Sequence, residues 1–242
     1  MEDSSLIETV LNDLQEANEF EDLKKIISFF LSNIGIDQFA FICNDSCVSK
    51  NQTPLIISNY QTEWLDTYTK NKYYKIDPII KKTIKDSIPF HWNELLIKNK
   101  TTILEEEFLQ DAKKHLIKID EGITIPTYVR GQNFTSLNLC QYSDNKHAKK
   151  IEKKYSYHLL SVATMLHLRA IRLNAPIIDK KLTKREKECL FWASLGKSQE
   201  ETGQILGVST RTIRFHNENS MAKLDVKNIT SAVSLATAFG YI

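Results

Sequence analysis

Apolar residues recur every three to four positions in two opening stretches, LIETVLNDLQEA (residues 6–17) and FEDLKKIISFFLSNI (residues 20–34), and that period predicts two amphipathic helices. The pattern then changes. QFAFIC (38–43), PLIIS (54–58), GITIPTYV (122–129) and NFTSLNLCQ (133–141) are short apolar runs rich in β-branched and aromatic residues, which predict strands. Gly131 fits a hairpin connection between the last two. From 144 to 171 the helical period returns, with Ile151, Tyr155, His158, Val162, Met165 and Arg169 on one seam flanked by Leu159 and Leu166. Such a seam packs on its own domain or on a copy of itself. Helices, then strands, then a further helix predict an α+β layer with a mainly antiparallel sheet.

The pattern breaks around RLNAPIIDKKLTKRE. Pro176 cannot continue a helix and 179–181 is a polar run, so a linker is expected over 172–181, between a first domain of 1–171 and a second of 182–242. Thr183 to Glu186 has the S/T-x-x-E form of a helix start, and Ser198 to Glu201 repeats it, predicting helices over 184–195 and 199–206. Gly207 stands where a helix reverses through a left-handed residue, and Ser209 is a good N-cap for a third helix carrying TRTIRFHNENSMAKL. Ile229, Ala232, Val233 and Ala236 form the apolar stripe of a fourth. The second helix, the glycine turn and the third helix make a helix-turn-helix. Close crossing at Gly203 tolerates only a small side chain, and Ile213 plugs the core.

Composition changes the picture only in part. With 42% apolar and 26% charged residues over 242 positions, the chain reads as a globular protein with one large or two unequal domains. The acidic start MEDSSLIETVL lacks the features of a signal peptide and no run approaches a membrane span, so a cytoplasmic location is expected. Four scattered cysteines argue against a disulfide framework or structural zinc. From Arg172 onward there are 11 Lys/Arg against 7 Asp/Glu, while the first 171 residues hold 21 against 23, so the net charge of +2 conceals a basic tail. The absence of a clustered His/Asp metal motif, a G-x-S-x-G elbow or a Cys-His pairing leads us to expect no enzyme, no metal and no catalytic residues. A phosphorylated receiver would need alternating βα units, which the N-terminal pattern lacks.

On the third C-terminal helix, Arg211, Thr212, Arg214, Phe215 and Glu218 lie off the core face, near the end that a recognition helix pushes into the major groove. An arginine there bonds guanine O6 and N7. Glu218 either accepts from a cytosine amine or orients Arg214 through an i, i+4 ion pair. The stretch from Leu182 to Leu224, with Glu186, Gly196 and the Ser209, Thr212, Ile213, His216 run, resembles the DNA-binding domain of the LuxR family. Asn217, Gly203 and Glu218 depart from the residues usual there. The resemblance implies double-stranded promoter DNA as a partner through Ser209, Arg211, Thr212, Arg214, Phe215 and Glu218.

Upstream, Asp77 sits between Ile76 and Pro78-Ile79-Ile80, beyond Trp64 and Tyr68 at one-turn spacing. A carboxylate in an apolar stretch needs hydrogen-bond donors. It either caps the helix that Pro78 starts, accepts from a ligand, or does both. Trp64, Tyr68, Asp77, Pro78, Trp92 and Gly122 together resemble the signature of acyl-homoserine-lactone-binding domains in quorum-sensing LuxR proteins. That resemblance implies an α-β-α sandwich enclosing a lactone. Asp77 would accept from the ligand amide, Trp92 would donate to the lactone carbonyl, Tyr60 would bond the amide carbonyl, and Trp64 and Tyr68 would wall the acyl chain. Asn138 replaces the Ser or Thr that relatives often carry at a pocket-facing strand position. Its amide either reads an oxidised acyl chain or narrows the pocket. Gly122 is expected to serve close packing or a positive φ.

The reading that follows is a ligand-responsive transcription factor, an activator in quorum sensing. It binds a near-palindromic site as a homodimer and contacts RNA polymerase, with no cofactor beyond the lactone. The alternative is a LuxR-type regulator that answers a different small molecule or none.

Overall fold

The structure, a computed structural model, describes residues 2–44, 53–93, 95, 102–131, 133–142, 148–174 and 182–242. It divides into two compact units, Met1–Leu173 and Asn174–Ile242. Residues 175–181 of the expected linker lie outside the described residues; 172–174 are still helical.

In the first unit, α1 (Glu2–Glu16) and α2 (Phe20–Asn33) precede β1 (Ile36–Asn44) and β2 (Leu55–Ser58). Then come α3 (Thr62–Lys70), a 3-10 turn at Tyr73–Lys75, α4 (Pro78–Asp86), β3 (Phe90–His91) and α5 (Ile103–Lys114). After a second 3-10 turn at Ile119–Glu121, β4 (Ile123–Arg130), β5 (Asn133–Tyr142) and the long α6 (Ala148–Asn174) complete it. The five strands form one antiparallel sheet in the order β2-β1-β5-β4-β3. The two-residue β3 pairs with β4 and was not among the predicted strands.

Side chains alternate between the two faces of a strand, and here each face meets helices. Phe39, Phe41, Leu137 and Leu139 point one way, into a core shared with Val10 and Leu14 of α1, Ile27 and Phe30 of α2, and Leu159 and Leu166 of α6. Ala40, Ile42 and Asn138 point the other way, under α3, α4 and α5. This is the α-β-α sandwich that the resemblance implied. The buried residues of α6 are Tyr155, Leu159, Val162, Ala163, Leu166, His167 and Ala170; Tyr155 and Val162 of the predicted seam and both flanking leucines are among them, while Ile151, His158, Met165 and Arg169 are half-buried. Arg169 instead donates from Nε, at 2.6 Å, and from its second terminal nitrogen to the carbonyl of Ala17 just past α1.

The second unit is all-α. It consists of α7 (Lys184–Ser194), α8 (Gln199–Leu206), α9 (Thr210–Lys223) and α10 (Ile229–Ala238) around Leu190, Leu224, Ala232 and Ala236. Both predicted capping boxes form, at Thr183/Glu186 and Ser198/Glu201. Gly207 ends α8 at φ +67, the left-handed conformation a turn into α9 requires. A Cβ on Gly203 would stand 2.8 Å from the carbonyl oxygen of Val208, so only glycine allows the turn to fold this tightly against α8. No helix among the described residues is long and apolar enough to cross a membrane.

Candidate ligand cavity and nucleic-acid interface

A cavity lies between the sheet and helices α3 to α5. It is lined by Ala40, Ile42, Tyr60, Trp64, Tyr68, Asp77, Trp92 and Asn138, among others, so it gathers six of the seven residues expected to bind ligand. The seventh, Pro78, opens α4 at its first turn, where its lack of an N–H costs nothing. Trp64 and Tyr68, four apart on α3, both turn inward and join Tyr73, Phe108 and His115 in an aromatic cluster with ring centroids 5.3 to 6.2 Å apart. The cavity measures about 50 Å³.

Asp77 performs the cap. Its Oδ1 accepts from the Ile79 amide at 2.8 Å, while Oδ2 accepts from the Tyr68 hydroxyl at 2.9 Å. Tyr68 is thus more than a wall, since it holds the second oxygen. Burial pushes the Asp77 carboxyl up to about 6, against the downward pull of those two hydrogen bonds. An ionised carboxylate offers roughly four lone-pair sites; Ile79 and Tyr68 take two, and the Ile80 amide also acts on the group.

Around the carboxylate, Tyr60 Oη lies 3.2 Å from the Cys140 thiol. Trp92 Nε1 donates to the Thr124 hydroxyl at 2.8 Å, and that hydroxyl donates to Asn138 Oδ1 at 2.8 Å. Asn138 Nδ2 donates to the Ala40 carbonyl and to Ser136 Oγ. Gly122 serves close packing and not a positive φ, for its φ is −96. A Cβ there would fall 2.1 Å from the Trp92 ring. Nothing local in the sequence marks Thr124 as part of this network. It is the second residue of β4, two positions past Gly122, and that offset is the available signal.

On α9, Thr210, Arg211, Arg214, Phe215 and Glu218 line an open groove. Arg211, Arg214 and Glu218 are exposed, as is Phe215. Ser209 caps α9 through the Thr212 amide, and the two hydroxyls bond each other at 2.8 Å. The expected ion pair between Glu218 and Arg214 is absent among the described residues; both side chains reach into solvent, where an i, i+4 pair gains little against its loss of rotamer freedom. Beneath this surface Ile213 is buried, as expected, and Asn217 is buried with its Oδ1 unpartnered. Glu186 ties α7 to α9. It closes its capping box and also accepts from Lys223 Nζ at 2.7 Å. Burial alone would raise this carboxyl, but the bonds from Lys223 and Thr183 more than reverse that and hold it below the usual range. Lys223 was not singled out from the sequence.

Comparison with known proteins returns the same two parts. Residues 19–170 match the autoinducer binding domain, and residues 180–236 match the bacterial regulatory proteins of the luxR family. The transcriptional activator protein CarR of Pectobacterium carotovorum is 29% identical over 78% of this chain and 81% of its own length. The transcriptional activator protein LuxR of Aliivibrio fischeri is 27% identical over 97% and 94%. In fold, the chain resembles crystalline Escherichia coli SdiA, with a TM-score of 0.69 at 21% identity over 98% of this chain and 97% of that one. A structure of SdiA in complex with octanoyl-rac-glycerol gives 0.70 at 20% identity over 99% and 96%.

Proposed function

From the chain's membership of the LuxR family of autoinducer-binding bacterial regulatory proteins, we propose that it senses an N-acyl-homoserine lactone in unit 1–173 and binds promoter DNA through α9. The observation that carries this reading is Asp77, a carboxylate only 5% exposed, at the wall of an apolar cavity and with accepting capacity left over. A ligand amide N–H supplies the missing donor, and a charge-assisted bond of that kind is worth about 1.5–3 kcal/mol. Tyr60 serves the amide carbonyl, Trp92 turns its indole N–H from Thr124 to the lactone carbonyl, and Trp64 and Tyr68 enclose the chain.

Bound ligand completes the core of this unit and stabilises it by RT ln(1 + [L]/Kd). The stabilised sensor forms a homodimer that sets two α9 helices about 34 Å apart, one turn of a near-palindromic site. Arg211 and Arg214 read base edges, Phe215 packs on a thymine methyl, Glu218 accepts from a cytosine amine, and Ser209 and Thr212 fix the helix end against the backbone. Named relatives are transcriptional activators, which supports activation through RNA polymerase. A second reading, an acylated alcohol in place of the lactone, draws support from SdiA holding octanoyl-rac-glycerol, because an alcohol O–H meets the need of Asp77 equally well.

Thermal unfolding with lactones of graded chain length tests the proposal. A chain-length-selective rise in Tm of several degrees in the wild type, lost in Asp77→Asn, is expected. No shift with any lactone in a folded, DNA-binding protein sinks the lactone assignment.

A further inference from the structure

We propose that Cys140 is a positioning residue for ligand binding, whose thiol holds the Tyr60 hydroxyl at the cavity on a weak acceptor, so that the hydroxyl passes readily to a ligand carbonyl. This inference rests on the reading of Tyr60 given above and deepens it.

Tyr60 lies in the segment between β2 and α3 and lines the cavity. Its backbone is anchored. The amide N–H donates to Ser58 Oγ at 3.0 Å, and that buried hydroxyl donates to the Phe39 carbonyl of β1 at 2.8 Å. The far end of the ring is placed by sulfur, for Tyr60 Oη lies 3.2 Å from Cys140 Sγ. Cys140 belongs to β5 and is fully buried, and its cross-strand partner on β1 is Gln38. The thiol donates to Gln38 Oε1 at 3.7 Å. An amide oxygen only accepts, so the single thiol proton is directed to Gln38 and away from Tyr60. The sulfur is left to accept, and the tyrosine hydroxyl is the donor of the pair. Burial pushes the Cys140 thiol up to about 11, so at neutral pH it keeps the proton that it gives to Gln38.

The strength of that bond decides what a ligand has to replace. A thiol sulfur is a weak acceptor, whereas a carbonyl oxygen carries two strong lone pairs. Exchanging O–H···S for O–H···O=C therefore favours the complex. Tyr68 presents the opposite case. Its hydroxyl is held by the Asp77 carboxylate at 2.9 Å, a charge-assisted bond that a neutral carbonyl does not match. Of the two tyrosines that line the cavity, the one resting on sulfur is the one whose proton a ligand carbonyl draws off.

Titration calorimetry of the full chain, with the lactone that gives the largest rise in Tm, tests this assignment. Cys140→Ser puts a stronger acceptor beside Tyr60, and affinity should fall about fivefold. Cys140→Ala removes a similar volume and offers no acceptor, so it should bind within about twofold of the wild type. In a Tyr60→Phe background, which has no hydroxyl to hold, Cys140→Ser should change affinity by less than about twofold. A serine effect that the alanine variant shares, or that persists beside Tyr60→Phe, marks a packing residue and overturns the proposal. So does a folded Cys140→Ser of wild-type affinity. The wild type itself supplies a readout that needs no substitution, because the S–H stretching band should shift as the lactone saturates and the sulfur loses its donor; thiol bands that stay unchanged overturn the proposal as well. Failure of every lactone to bind the wild type overturns the lactone reading itself, and this inference with it.

Discussion

The two faces of the sheet in the first unit are built from alternate residues of the same strands, and they are made for different ends. On one face Phe39, Phe41, Leu137 and Leu139 are fully buried against α1, α2 and α6, and the main polar intrusion is Thr135, 3.0 Å from His167 Nδ1. On the other, Ala40, Asn138 and Thr124 stand in one cross-strand row beneath a cavity, and every polar group there holds its neighbour in place. A close-packed apolar face maximises stability. A face that keeps space, an amide, a hydroxyl and a carboxylate forgoes part of that stability. What it retains is a set of groups positioned before any ligand arrives.

The comparison breaks most easily at Phe41. Truncating this ring leaves a void that its helical neighbours cannot fill, and Phe41→Ala should cost about 3–5 kcal/mol. Denaturant unfolding followed by the fluorescence of the tryptophans measures it, and a loss under about 1 kcal/mol would mean that stability does not reside on this face.

How much of this was legible depended on distance along the chain. Trp64 with Tyr68, Asp77 with Pro78, the two capping boxes and Gly207 are relations within a few residues, and local geometry obliges them to turn out as they do. The strand β3 is two residues long, too short to display alternation, and its partner Thr124 lies far downstream. The bond from Lys223 to Glu186 joins residues 37 apart, and the Trp92, Thr124, Asn138 row joins three elements. Periodicity carries no information about such pairs. The α6 seam lay between these cases. Its spacing supports two neighbouring stripes, and packing against the sheet chose Leu159, Ala163 and Leu166 over His158, Met165 and Arg169.

Gly122→Ala sharpens the contrast from the cavity side. The added methyl would come within 2.1 to 2.4 Å of three Trp92 ring atoms, so the ring or the strand must shift. We expect a loss of about 2–3 kcal/mol, in the upper part of the range for overpacking. Ligand response should fall further than stability does, since the same displacement draws Trp92 Nε1 away from Thr124. If the variant keeps wild-type lactone affinity while losing stability, Trp92 has no part in binding.

The smallest change in stability, and the most telling one, belongs to Asp77→Asn. The folded carboxyl titrates at about 6, against an ordinary value of 3.8, because burial penalises its charge. The folded state therefore binds this proton more tightly than the unfolded chain does. Raising the pH from about 4 to about 6 removes stability from the wild type, up to about 3 kcal/mol for the full shift. Asparagine carries no charge and can still accept from the Ile79 amide, so the variant should lack this slope. Its second amide proton finds no acceptor to match, however, which reduces the expected gain at pH 7 to about 1–2 kcal/mol in the absence of ligand. A ligand N–H favours the ionised form, so lactone affinity in the wild type should rise across the same window and binding should release a proton, as calorimetry in buffers of different ionisation enthalpy would detect. A residue retained for stability alone would weaken the protein when replaced. An Asp77→Asn that is more stable, flat in pH and deaf to ligand marks a carboxylate held at a cost for binding, whereas one that is less stable at pH 7 marks a helix cap and nothing more.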